Sequence, residues 1–260
     1  MPLSKSEFED LNRAKRLLET PGIAMRLSAF VGAPVEKGLG MLPTRMQRAV
    51  HGATEKALMT ALSIAVKSLG TGTSGVSHDK MHRMAVATSG AIGGAFGLAA
   101  LGMELPISTG LILRSIADIA ASEGENPQHL ETKLACLTVF ALGSPKDRRD
   151  DAAESGYFTA RAALAGAVTE AAKHIAQKGI AKGGGPALVR LISLITARFG
   201  IVVSEKAAAQ LVPVIGAAGG ALINTIFIGH YQDMARGHFI VRRLEKVHGA
   251  EPVREAYDKL

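Results

Sequence analysis

The chain has 260 residues, of which 47% are hydrophobic, 29 are glycine and only 4% are aromatic. Its 30 Lys and Arg against 23 Asp and Glu give a net charge of +7. The apolar content excludes a disordered chain, because enough surface can be buried to offset the entropy of ordering. The single cysteine, Cys136, excludes a disulfide scaffold.

The N-terminal segment is strongly charged. A secretory signal needs an uninterrupted apolar stretch there, whereas this segment carries Lys5, Glu7, Glu9, Asp10, Arg13, Lys15 and Arg16. This charge pattern and the lone thiol predict a cytoplasmic protein.

Helical periodicity dominates the chain, and no convincing strand pattern interrupts it. Ser4 and Glu7 have the spacing of a capping box, and the helix that they open is expected to end before Pro21. Residues 44–69 predict a second long helix, and Pro106 is expected to interrupt or kink another one. A later helix has one apolar stripe, which consists of Leu188, Leu191, Ile192, Ile195 and Phe199.

Two stretches, residues 84–103 and 207–229, contain no charged side chain and are rich in glycine and alanine. Each approaches the ~20 residues that cross a membrane, but Ala and Gly contribute little to insertion, and the second stretch contains Gln210, Pro213 and Asn224. We therefore predict an all-α multi-helix bundle, with residues 1–260 as a single domain and these two stretches as its apolar central helices. Insertion of the stretches into a bilayer is the alternative.

The segment from Arg161 to Lys206 is basic, with seven Lys and Arg residues against two glutamates. Such a stretch is typical of contact with anionic lipid headgroups, where each cation contributes ~1 kcal/mol. An ordinary solvated face is the competing interpretation. The candidate membrane-surface residues are Lys173, Lys178, Lys182, Arg190 and Arg198. The segment contains no motif that reads nucleic acid, so no nucleic-acid partner is expected.

No pattern in the chain specifies a cofactor, a metal or a catalytic nucleophile. The glycines at 70, 72 and 75 match a dinucleotide fingerprint only as letters, because a helix precedes them and residues 84–103 contain no acidic residue. His78 and His82 share a helical face but lack the glutamate of a zinc-protease motif, so we predict no metal site.

Several polar side chains stand within apolar helices and are candidates for a ligand site or a structural network. Glu104 ends the first uncharged stretch, and Asp118 lies one turn after Arg114. Near the C-terminus, Asn224 and His238 share one helical face, whereas His230 and Asp233 lie on another. Buried polar groups need partners and usually form networks.

Several segments in combination resemble the EcsC family of bacterial proteins, over about residues 10–249. They are Glu36-Lys37-Gly38, Gly90-Ala-Ile-Gly-Gly-Ala-Phe-Gly97, Glu104-Leu-Pro106, Arg114-Ser-Ile-Ala-Asp118, Gly216-Ala-Ala-Gly-Gly-Ala and His238-Phe239. The resemblance implies a bacterial, cytoplasmic, all-helical protein that is associated with membranes. It implies no established enzymatic activity. It singles out as motif positions Glu104, Arg114, Asp118, Asn224, His238 and Arg243.

These observations predict a non-enzymatic helical protein that is peripheral to the inner membrane or that binds an apolar, lipid-like ligand. One alternative is a hydrolase with an acid and histidine site formed by Glu104, Asp118, His230 and His238. That alternative requires the four side chains to converge on one pocket. A second alternative is a protein partner of a membrane export system.

Overall fold

The computed structural model of the chain describes residues 3–19, 23–32, 43–69, 83–86, 101–143, 156–179, 185–210 and 216–260. These ranges are helical apart from short turns, and no β-strand occurs within them, which confirms the predicted all-α class. Their helices are α1 (Lys5–Glu19), α2 (Ile23–Val31), α3 (Thr44–Ser68), α4 (Leu101–Ser122), α5 (Leu130–Thr138), a 3-10 turn (Val139–Ala141), α6 (Gly156–Lys178), α7 (Pro186–Gln210), α8 (Gly216–His248) and α9 (Ala250–Asp258).

Local sequence signals set the starts of several helices. The backbone N–H of Ser4 donates to Glu7 Oε2 at 2.7 Å, and the N–H of Glu7 donates to Ser4 Oγ at 3.3 Å, which confirms the capping box of α1. Helix α3 begins directly after Pro43, as predicted. Pro186 is the first residue of α7, where its missing N–H removes no helical hydrogen bond.

The predicted stripe of α7 faces the core. Leu188, Leu191, Ile192, Ile195 and Phe199 are all at most 1% exposed. The spacing that predicted this stripe therefore also gives its correct orientation.

Two predictions concern the continuity of helices, at Pro106 and in the uncharged stretches. Pro106 lies inside α4, which continues past it. Because Pro106 has no N–H, the carbonyl of Gly102 lacks its helical hydrogen bond. Gly102 is exposed, so water can hydrate this carbonyl instead. The uncharged stretch 207–229 is not described as one helix, because α7 ends at Gln210, α8 begins at Gly216 and residues 211–215 lie outside the described ranges. Most of the other stretch, residues 87–100, also lies outside them.

Helix α8 has 33 residues and packs against α1, α2, α4, α7 and α9. Where α7 and α8 meet, the rings of Phe199, Phe227 and Tyr231 pack together, and Phe140 packs against Phe199 and Tyr231. The centroid distances are 5.0–6.0 Å. The buried apolar side chains of the described helices form one continuous core. The position of α8 within this core explains why polar side chains along it are buried.

Helix α1 lies unusually close to α8 at Gly237. A Cβ atom at Gly237 would lie 2.6 Å from Leu18 Cγ and 3.0 Å from the backbone oxygen of Ala14. Neither atom is the free end of a flexible side chain, so α1 has to move if position 237 acquires a methyl group. Glycine at this position therefore permits the close approach of the two helices.

We expect Gly237→Ala to lower the free energy of unfolding by about 1–3 kcal/mol, because the overpacking exceeds the higher helix propensity of alanine. Gly166→Ala in α6 is the matched control, since a Cβ there meets no atom within 4 Å. The control is expected to gain up to ~1 kcal/mol from propensity alone. Urea unfolding of both variants measures the difference, and equal effects would contradict the close packing of α1 on α8.

Candidate functional site

Glu104, Lys206 and Asn224 form a cluster inside the protein, where α4, α7 and α8 meet. The ammonium nitrogen of Lys206 lies 2.9 Å and 3.1 Å from the two oxygens of Glu104. Asn224 Nδ2 donates to Glu104 Oε1 at 2.9 Å and to the backbone oxygen of Val86 at 3.0 Å. Lys206 and Asn224 are fully buried and Glu104 is 5% exposed.

The electrostatics of this cluster keep Glu104 ionised. Burial by itself raises the pKa of the carboxyl, but the charge of Lys206 and hydrogen bonds from Lys206, Asn224 and Ser108 outweigh it, so that the pKa lies below its ordinary value. The ammonium group of Lys206 also lies 4.6 Å from the ring centroid of Phe227. The cluster is therefore a hydrogen-bonded ion pair with an aromatic wall.

Glu104 and Asn224 were predicted from the sequence as candidate site residues. The prediction that Lys206 belongs to the basic surface stretch is wrong, because its side chain is fully buried. Lys206 continues the buried stripe of α7, because it lies seven residues after Phe199 and four after Val202. The sequence signal for the burial of Lys206 was its position in register with the apolar stripe of α7.

His230 and Asp233, the second polar pair on α8, have separate surroundings. His230 is 1% exposed and lies against Gly143, whose φ of 70° favours glycine. Burial and the nearby charge of Arg26 lower the pKa of His230 to about 3. Asp233 lies nearer the surface and accepts a 3.0 Å hydrogen bond from Arg26. His230 is therefore neutral at physiological pH.

His238 ends a hydrogen-bonded chain that links α6 to α8. Arg161 contacts Glu245 through two 2.8 Å hydrogen bonds and donates to the hydroxyl of Tyr157 at 3.2 Å. The Tyr157 hydroxyl lies 2.9 Å from His238 Nδ1. Burial, followed by the charges of Arg161 and Arg242, holds the pKa of His238 well below its ordinary value. His238 is thus held in its neutral form.

A cleft of about 490 Å³ opens beside this chain, between α5, α6 and α8. Its wall is mostly apolar and includes Leu130, Leu134, Leu164 and Val168. His238 and the side chains of Arg161, Lys173, Arg242 and Glu131 add polar groups to this wall. The cleft is the candidate ligand site, henceforth the α5–α6–α8 cleft.

The remaining motif residues have other locations. Arg243 contacts Asp10 at 2.7 Å and Glu123 at 3.0 Å, so it connects α8 with α1 and with the end of α4. On α4, Arg114 is exposed and Asp118 is 8% exposed. None of these three side chains lines the α5–α6–α8 cleft.

The predicted membrane-surface cations are divided between α6 and α7. Lys173 and Lys178 are exposed on α6. Arg190 is exposed on α7 and contacts Glu170 of α6 at 3.1 Å, whereas Arg198 is half-buried. Lys182 lies outside the described residues.

The four residues of the hydrolase hypothesis are not brought together. Glu104 contacts Asn224, which lies about 21 Å along α8 from His238, at 1.5 Å per residue. Of the four, only His238 lines the α5–α6–α8 cleft. In the described part of the chain, no group of three His, Cys, Asp or Glu side chains is arranged to hold a metal ion.

Two described helices are long and apolar enough to cross a membrane, by length and composition alone. They are Gly102–Ser122, within α4, and Pro186–Gln210, which is α7. In the apolar windows of these helices, 61% and 44% of the residues are buried inside the protein. A smaller share of the α7 window than of the α4 window is therefore buried inside the protein.

Comparison with known proteins identifies the family. No curated protein and no solved structure is significantly similar to this chain. The sequence model of the EcsC protein family matches residues 5–244, which cover α1 to most of α8. The chain therefore belongs to the EcsC protein family.

Proposed function

We propose that this protein is a non-enzymatic, peripheral membrane protein that binds anionic lipid surfaces through the outer face of α7. The observation that carries the proposal is the exposure of this apolar helix, of whose membrane-length window only 44% is buried. The cytoplasmic face of a bacterial inner membrane is the surface that we assign to it. Anionic lipids give such a leaflet a negative potential that attracts Lys and Arg.

The outer face of α7 combines apolar and basic side chains. Val189, Leu194 and Ile201 are 48%, 36% and 42% exposed, opposite the stripe that faces the core. Arg190 lies among them on the same side of the helix. A surface helix that presents large apolar side chains beside cations is typical of a helix that lies in the membrane interface.

Helix α6 extends this surface with positive charge. The contact between Arg190 and Glu170 fixes α6 beside α7. Lys173 and Lys178 follow Glu170 by three and eight residues along α6, and both are exposed. They can therefore reach lipid headgroups next to the apolar side chains of α7.

The separation of the candidate catalytic residues supports the non-enzymatic part of the proposal. A hydrolase needs its acid, base and substrate within hydrogen-bonding reach. Glu104 is instead bound by Lys206 and Asn224, and His230 is buried against Gly143. Each of these side chains has a structural environment of its own.

Flotation of the purified protein with phosphatidylglycerol-containing vesicles tests the proposal. We expect binding at low salt that weakens as salt is added, because the contact includes exposed cations. The double variant Val189→Glu/Ile201→Glu is expected to lower the affinity at least about tenfold, since both side chains lose apolar contact with the lipid.

Met25→Glu/Val247→Glu is the matched control. It also replaces two exposed apolar residues, which are 61% and 68% exposed and lie on α2 and α8. The control changes the net charge by the same amount and is expected to retain most of the binding. Equal loss in both double variants, or no binding of the unmodified protein, would refute the assignment to α7.

A further inference from the structure

We infer that the α5–α6–α8 cleft binds a long-chain fatty acid, with the chain along its leucine wall and the carboxylate at His238 Nε2. This site is separate from the outer face of α7 and goes beyond membrane association. Three features of the cleft support it, namely a buried donor, a wall that suits a hydrocarbon chain, and the positive charge of Lys173.

The buried donor is the Nε2 atom of His238. The side chain is 3% exposed and lines the cleft. Its Nε2 atom is inaccessible to solvent and has no hydrogen-bond partner among the described residues. A buried polar atom without a partner costs free energy, so a ligand that offers one is bound more tightly.

The neighbouring hydrogen bonds determine which ring nitrogen of His238 carries the proton. The oxygen of Tyr157 accepts a hydrogen bond from Arg161, so its own O–H is available to donate to His238 Nδ1. Nδ1 is then the acceptor of the neutral ring, and the proton is on Nε2. His238, which lines the cleft, therefore carries an N–H donor without a partner among the described residues, and a ligand that reaches it must offer an acceptor.

The rest of the wall favours a hydrocarbon chain. Leu130, Leu134, Leu164 and Val168 line the cleft together with small alanine side chains. A volume of about 490 Å³ lies within the ~300–1,000 Å³ that is typical of small-molecule sites. A mostly apolar wall with few polar groups orients a ligand through its one polar end.

The charge of the lining favours an anionic polar end. Arg161, Lys173 and Arg242 line the cleft with Glu131 as the one acidic group in the described lining. The guanidinium groups of Arg161 and Arg242 are held in place by Glu245 and Glu125, at 2.8 Å and 2.9 Å. Because Glu245, Glu125 and Glu131 pair with the two arginines, Lys173 is the lining cation without an ion pair among the described residues. A carboxylate fits both the hydrogen-bond donor and this cation, whereas an amine fits neither.

Calorimetric titration with oleate, in the absence of vesicles, tests the inference, and native mass spectrometry gives the stoichiometry. We expect one oleate per chain. Oleyl alcohol, which has the same chain without the charge, is expected to bind about tenfold more weakly, because a hydrogen bond to a charged group is the stronger one.

Two alanines on α6 provide matched variants. Ala165 lines the cleft and Ala163 does not, although both are exposed. Ala165→Phe is expected to abolish oleate binding by filling the cleft, and Ala163→Phe is expected to leave it unchanged. His238→Phe keeps an aromatic ring but removes the donor, and it is expected to weaken binding about tenfold. If that variant fails to fold, the pair of alanine variants still decides the question.

Three results would each overturn the inference: no binding of oleate, equal affinity for oleate and oleyl alcohol, or equal binding by Ala165→Phe and Ala163→Phe. The membrane proposal is tested separately, because Ala165 and His238 do not lie on α7 and the titration contains no vesicles. Loss of oleate binding would therefore leave the vesicle result intact, and the reverse also holds.

Discussion

Replacement of Lys206 by methionine is expected to lower the free energy of unfolding by about 3–5 kcal/mol. Methionine fills a similar volume but leaves the carboxylate of Glu104 buried without its cation, at a site where the lysine is fully buried and the glutamate is 5% exposed. Asn224 still donates to Glu104 in the variant, but one neutral donor does not replace an ammonium group. Urea unfolding at pH 7 measures the effect.

The double variant Lys206→Met/Glu104→Gln is expected to recover most of this loss, because neither member of the buried pair then carries a charge. The exposed pair of Arg190 and Glu170 is the control, with side chains that are 63% and 50% exposed. Arg190→Met is expected to change the stability by no more than ~1 kcal/mol. A double variant as unstable as the single one would show that the ion pair is not the cause.

The effect of Lys206→Met is also expected to depend on pH. In the unmodified protein the pKa of Glu104 lies below 4.5, so its ionised form stabilises the fold above that pH and this contribution is lost as the pH falls. In the variant, burial without a cation favours the protonated carboxyl. The difference in stability between the two proteins is therefore expected to shrink when unfolding is measured at pH 4 instead of pH 7.

Local sequence patterns predicted the helices better than they predicted the cluster around Glu104. The capping box of α1 and the stripe of α7 depend on residues within a few turns, and both were correct. Glu104 and Asn224 stood out as polar residues in apolar surroundings. Lys206 did not, because its partner Glu104 lies 102 residues away in sequence and α7 carries other cations that do face solvent.

Tertiary packing also determines which helix exposes apolar side chains that a membrane could contact. The sequence predicted apolar contact with the membrane in the two uncharged stretches, since charge is costly in lipid, and headgroup contact in the basic stretch from Arg161 to Lys206. One of these stretches reaches into α8, where Asn224 and Phe227 are fully buried by neighbouring helices. Helix α7 contains Arg190 and Arg198, yet it exposes Val189 and Ile201. Exposure depends on which neighbours cover a helix, and a local pattern does not contain that information.

Acidification is expected to destabilise the protein through His230. This histidine has a pKa of about 3 in the folded protein, against an ordinary value of 6.5 for a solvated side chain. Between these values the unfolded chain binds a proton that the folded protein does not, so stability is complete above pH 6.5 and falls as the pH falls towards 3. At 1.36 kcal/mol per pH unit, His230 alone contributes a loss of about 2 kcal/mol at pH 5 and about 3 kcal/mol at pH 4.

The variant His230→Gln isolates this contribution, because glutamine is of similar size and does not titrate. Its stability relative to the unmodified protein is expected to rise by about 2 kcal/mol between pH 7 and pH 5 in urea unfolding. His51→Gln, on the exposed side of α3, controls for the loss of a histidine as such. The pH range from 7 to 5 lies above the ordinary pKa of carboxyl groups. Glu104 and Glu125, whose pKa values are lowered further, therefore contribute little to the change in stability over this range. If the unmodified protein and His230→Gln lose stability in parallel over this range, His230 is not held neutral by burial beside Gly143 and Arg26.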